Sequence, residues 1–119
     1  YYHKLDENQS SELKVERAIV WCAFVSGDMA QADYYSQKII ESTPETQDLL
    51  NAGHIAWCQG KKTIAIDYYI RCIQSLHSNP EAFTDLMNKD KMQLINNGIQ
   101  PDDYQLIIDE VLYRTDTKE

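Results

Sequence analysis

The chain has 119 residues, 11 lysines and arginines against 19 aspartates and glutamates, and a formal net charge of −8. That length allows one domain, and 43% hydrophobic residues with only 4 glycines and 3 prolines is the composition of a chain that buries a core, which excludes a disordered segment. The acidic excess repels phosphate backbones and anionic lipid, so neither nucleic acid nor a membrane surface is an expected partner, and no apolar run approaches the roughly 18 to 20 residues that span a bilayer.

Cys22, Cys58 and Cys72 are odd in number and widely spaced, which argues against a disulfide framework and fits a reducing, cytoplasmic compartment. The chain begins Tyr1-Tyr2-His3 with no visible signal peptide, and it reads as a fragment of a longer protein.

In chain order, residues 1–7 read as the end of a preceding helix, ahead of a first helical hairpin. There Ile19, Val20 and Ala23 share one face, extended by Leu13, Val15 and Phe24. Gly27 ends that helix, and Asp28 with Gln31 three residues on gives an N-cap for the next. Thr43-Pro44-Glu45 is a second helix start, and the helix that follows carries Leu49, Ala52, Gly53 and Ala56 at i, i+3, i+4 and i+7 before stopping at Gly60. Its partner shows Ala65, Tyr69, Cys72 and Ile73 on one face. Small residues such as Gly53 and Ala65 let two helix axes approach closely.

These two hairpins repeat one another. Tyr-Tyr pairs begin at Tyr1, Tyr34 and Tyr68, a nearly constant interval that also separates Gly27 from Gly60, and each glycine is followed five residues later by an alanine, Ala32 or Ala65. After Ser78-Asn79-Pro80 the period is lost. Phe83, Leu86 and Met87 mark a short helix, Asp90 with Gln93 a further capped start that runs to Gly98, and Pro101-Asp102-Asp103 opens a last helix with Tyr104, Ile107, Ile108 and Val111 on one face. Alternation never persists, so no strand is expected and the fold class is all-α, with about seven helices.

The repeat resembles the tetratricopeptide (TPR) family, whose unit is a helix–turn–helix of about 34 residues with the pattern W-x2-L-G-x2-Y, A-x3-F, P. In the second unit those places fall on Leu49, Ala52, Gly53, Ala56, Ala65 and Tyr69, with Pro80 three residues past the position of the final proline. In the first they fall on Glu16, Ile19, Val20, Ala23, Ala32, Ser36 and Pro44. The resemblance implies a TPR-like α-α superhelix, with two repeats over residues 10–77 and a C-terminal helical cap over 78–119, as the C-terminal part of a longer array. It implies recognition of a protein or peptide on the concave groove, as a non-catalytic scaffold, without a cofactor.

In such an array the first helix of each unit lines the groove, and its outward stripe recurs at i, i+3, i+7 and i+10. That stripe is Lys14, Arg17, Trp21 and Phe24 in the first unit and Gln47, Leu50, His54 and Trp57 in the second. Tryptophan, phenylalanine and arginine are the types that anchor interfaces, and Lys14 with Arg17 favours a partner segment that joins an apolar anchor to an acidic group. Some TPR domains clamp a terminal carboxylate with Lys, Arg and Asn. Arg17 and Asn51 stand at matching places, but Trp21 replaces an expected Asn, so that activity is not expected.

His54 and Cys58 have metal-ligand spacing, yet a closed zinc site needs about two more ligands and Cys72 with His77 diverges around its helix, so no metal site is expected. No glycine-rich phosphate loop or nucleophile with an orienting base is present, so an enzyme is not expected either. Two other roles fit the same residues: a peptide-sensing regulatory domain controlling an upstream effector, or a structural end cap. An uncovered face at residues 1–5 would promote self-association.

Overall fold

A computed structural model describes the backbone of residues 2–116 and the side chains of residues 14–115. Six α-helices and no strand occur among the described residues: α1 (Tyr2–Ser26), α2 (Met29–Ile40), α3 (Thr46–Cys58), α4 (Lys62–Ser75), α5 (Pro80–Asn96) and α6 (Pro101–Asp116). The all-α expectation holds. None of these helices is long and apolar enough to cross a membrane.

Local sequence explains the ends. At Gly27 the amides of Gly27 and Asp28 return to the carbonyls of Phe24 and Ala23, and at Gly60 those of Gly60 and Lys61 return to Trp57 and Ala56. This is the Schellman closure, and it needs the positive φ that both glycines adopt, +88° and +80°. The Asp28 carboxylate then accepts from the Gln31 amide at 3.2 Å and starts α2 as expected, while Asn79 does the same for α5 through Ala82. Pro101 opens α6, whose face of Tyr104, Ile107, Ile108 and Val111 is buried throughout.

The end of α4 closes in the same manner without a glycine. His77 and Ser78 both sit at φ +58°, with Ser78 N–H bonded to the Ile73 carbonyl. Left-handed backbone strains a side-chain-bearing residue, so His77→Gly is expected to raise stability by about 0.5 to 1 kcal/mol after allowing for glycine's freer unfolded chain. Urea denaturation that finds no gain would remove strain from the account of this turn.

Three expectations need correction. Residues 80–96 form one helix instead of two, because Asp90 lies mid-helix on the same face as Phe83, Met87 and Leu94 and caps nothing. Helix α3 starts two residues later than Pro44 suggested: Glu45 is its N-cap, and its amide donates to the Asp48 carboxylate at 2.8 Å. Helix α1 runs without interruption through the boundary expected between residues 7 and 10. The side chains of residues 1–5, on which an uncovered face was expected, lie outside the described residues.

The helices pack in sequence, α1 on α2, α2 on α3 and α3 on α4, with α1 also touching α3; α6 packs on α4, and α5 lies against α3, α4 and α6. The result measures 49 × 35 × 21 Å, and its thinnest dimension is about two helix diameters. Gly53 shows why α3 and α4 lie so close. A methyl group built there would stand 2.5 Å from Cε1 of Tyr69, so the tyrosine ring occupies the space a larger residue would fill. In the first hairpin the matching positions are Val20 and Ser36, both buried and bordering one small void: the larger side chain sits on the first helix and the smaller on the second.

Candidate functional site

A cleft of about 410 Å³ opens between α1 and α3, with α5 closing one side. Arg17, Ala18 and Trp21 line it from α1, Gln47, Asp48 and Asn51 from α3, and Asp90 from α5. The positions follow from helix periodicity: Arg17 and Trp21 are four residues apart on α1, as are Gln47 and Asn51 on α3, so each pair shares a face.

Arg17 ties the two helices together. Its Nε donates to Asp48 Oδ1 at 2.8 Å and its Nη2 to Oδ2 at 2.7 Å, a two-point contact with a carboxylate that is only 4% exposed. The bond to Asp48 raises the Arg17 pKa further above its ordinary value, with Glu45 adding a smaller push in the same direction. Asp48 thus serves both its own helix start and the contact with α1. Beside it, Gln47 Nε2 donates to Asn51 Oδ1 at 3.1 Å, which leaves the Gln47 carbonyl oxygen and the Asn51 amide protons for a ligand.

Beneath the cleft an aromatic chain leads into the core. The Trp21 ring contacts Phe24 at 5.7 Å between centroids, Phe24 stacks on His54 at 5.6 Å, and His54 meets the edge of Tyr69 at 5.6 Å. His54 is sealed from solvent and bonded through both ring nitrogens: Nε2 lies 2.9 Å from Asp90 Oδ2 and Nδ1 lies 2.7 Å from the Tyr69 hydroxyl. A carboxylate only accepts, so Nε2–H is the donor to Asp90. Burial pushes the Tyr69 phenol well above its usual pKa, so its O–H is retained, and this hydroxyl pairs with Nδ1. Tyr69, His54 and Asp90 thus form one buried chain of hydrogen bonds.

This geometry sorts the expected groove residues. Arg17, Trp21 and Gln47 line the cleft, and Lys14 is exposed on α1 outside its lining. Phe24, Leu50, His54 and Trp57, expected in the groove, are core residues with between 0 and 7% exposure. The reason is that α3 is enclosed on nearly every side: α4 covers one face, α1 and α2 another, and α5 lies over the C-terminal half. Past Thr46, only Gln47, Asn51 and Cys58 escape burial, and they fall within an arc of about 40° at 3.6 residues per turn.

Asp48, Asn51 and Asp90 complete the cleft, and the groove stripe read from the sequence contained none of them. A signal for Asp90 existed, since an acid at i+3 from Met87 and i+7 from Phe83 stands on an apolar face and calls for a buried partner.

His54 has no lone pair left for a metal, and among the described residues no cluster of three or more His, Cys, Asp or Glu is arranged around a possible ion. Cys58 is half-buried and Cys72 buried, and desolvation pushes their thiols up to about 11 and about 12. Between pH 9, where the unfolded thiols ionise, and about 12 the folded state therefore holds more protons than the unfolded one. Stability contributed by these thiols is complete below pH 9 and declines as pH rises through that window. At about pH 8, below all of these values, an aromatic disulfide reagent is expected to modify the exposed Cys22 quickly and the other two only on unfolding. Two or more fast thiols in the native protein would contradict this packing.

The fold defines an all-α protein with an aromatic-walled cleft between α1 and α3. Comparison with protein-family models, with curated proteins and with solved structures returned no match to this chain.

Proposed function

We propose that this chain is a TPR-type helical-repeat module that binds a segment of a partner protein in the cleft between α1 and α3, without catalysing a reaction. Support comes first from the two hairpins, which share the interval set by Gly27 and Gly60, the same glycine-closed helix ends and a reciprocal exchange of side-chain volume at Val20/Ser36 and Gly53/Tyr69. The first hairpin packs its second helix, α2, on the first helix of the next, α3, which is how such repeats propagate. The observation that carries the reading is the partly buried Trp21 on the wall of a cleft that also presents hydrogen-bonding amides from Gln47 and Asn51. A rigid indole beside free amide groups is the composition of an interface anchor. A non-catalytic role is supported by the placement of His54, the one histidine joined to an acid among the described residues, which solvent does not reach.

Peptides selected by phage display against this protein provide the test. Trp21→Ala is expected to weaken their retention by at least about 30-fold, a hot-spot loss, while leaving far-ultraviolet circular dichroism unchanged. Unchanged retention would remove Trp21, and with it the cleft, from recognition. Trp57 is no substitute in this experiment, because its burial against Tyr69 makes it a core residue.

A further inference from the structure

We propose that the cleft receives a cationic side chain, an arginine guanidinium of the partner segment, over the Trp21 indole and against the free carboxylate oxygen of Asp90. The inference rests on the reading of this cleft as the partner groove and names the chemistry of what enters it. Its basis is the pairing that the cleft lining leaves open. Among the described residues Arg17 is the only cation on the lining, and Asp48 already holds it at two points. An acidic group attracted by Arg17, as the sequence suggested, would meet a neutralised guanidinium beside two carboxylates.

Asp90 carries the opposite message. Its Oδ2 accepts from His54, and its other oxygen accepts no hydrogen bond from any described residue although the side chain lines the cleft. Among the described residues no donor meets that second oxygen, and a carboxylate this buried gains most from a cation that also brings donors. A guanidinium supplies several: one edge suits the Asp90 oxygen, another the Gln47 carbonyl oxygen, and its plane suits an indole face. The chain's net charge of −8 draws a basic segment from a distance.

The probe is the blocked peptide acetyl-Gly-Ser-Leu-Arg-Leu-Ser-Gly-amide, with counterparts carrying citrulline or glutamate in place of the arginine. Each is titrated into isotopically labelled protein while the Trp21 indole N–H resonance, identified by its loss in Trp21→Ala, is followed. Saturable movement is expected with the arginine peptide, about tenfold weaker binding with citrulline, which keeps the shape but not the charge, and weaker still with glutamate. Asp90→Asn is expected to bring the arginine peptide to the citrulline level. Should that variant unfold, Gln47→Lys places a repelling charge at an exposed position and is expected to weaken the arginine peptide about tenfold. Equal binding of arginine and citrulline, or a preference for glutamate, would overturn the cationic inference and leave the groove reading standing. If no peptide moves any cleft resonance of the folded protein, both fall.

Discussion

Replacing Asp90 with alanine is expected to lower the unfolding free energy by about 2 to 4 kcal/mol, a large share of the roughly 5 to 15 kcal/mol that holds a domain together. The carboxylate receives the Nε2 proton of an imidazole that is 0% exposed, and without the acid that donor has no partner in the protein. The cost is therefore the desolvation of an orphaned donor and not the modest net value of one hydrogen bond. The loss is also directional. Asp90 is a main polar tie between α5 and α3, so hydrogen exchange along α5 is expected to accelerate more than along α2. Tyr69→Phe removes the partner of the other ring nitrogen and is expected to cost about 1 to 2 kcal/mol. Because the two bonds polarise a single imidazole, the double variant is expected to lose less than the sum of the singles. Urea denaturation of the three variants measures all of this. A cost for Asp90→Ala below about 0.5 kcal/mol, within the range of ordinary surface substitutions, would show that the chain of bonds contributes nothing to the fold.

The second large effect has an unusual sign. In an unpacked helix, alanine in place of glycine adds about 1 kcal/mol of stability. Gly53→Ala is expected instead to remove about 2 to 3 kcal/mol. The new methyl would lie 2.5 Å from Cε1 and 2.7 Å from Cδ1 of Tyr69. That ring has nowhere to go: it is fully buried between Trp57 at 6.2 Å, Phe83 at 6.0 Å and His54 at 5.6 Å, and moving it would also break its bond to His54. Relief must come from separating α3 and α4, the most extensive helix contact in the molecule. Thermal denaturation gives the answer directly, and a stabilised Gly53→Ala protein would mean that the hairpin has room for the methyl group after all.

Much of this architecture was legible in the chain. The helix ends at Gly27, Gly60 and Asp28 and the buried face of α6 follow from local rules, because a cap or a helical period involves only residues within a turn or two of each other. The close approach at Gly53 was legible for a related reason, since a glycine inside an otherwise good helix gives up stability that some neighbour must use. Asp90 and Gln93 satisfied the same local rules and misled, because a helix already under way has no need of a new cap.

The binding face was another matter. Periodicity assigned His54 and Trp57 to the stripe that also holds Gln47, and the three do share a side of α3. Whether that side meets solvent depends on α5, which begins at Pro80, beyond the whole of α4, and returns across the C-terminal half of α3 to place Asp90 on the imidazole. The sequence by itself determined most of the helix ends and which helix faces are apolar, because those properties are set by neighbours along the chain. Only the tertiary structure decided which polar and aromatic residues remain at the surface, because burial is conferred by whichever distant element covers them, and no local pattern encodes its path.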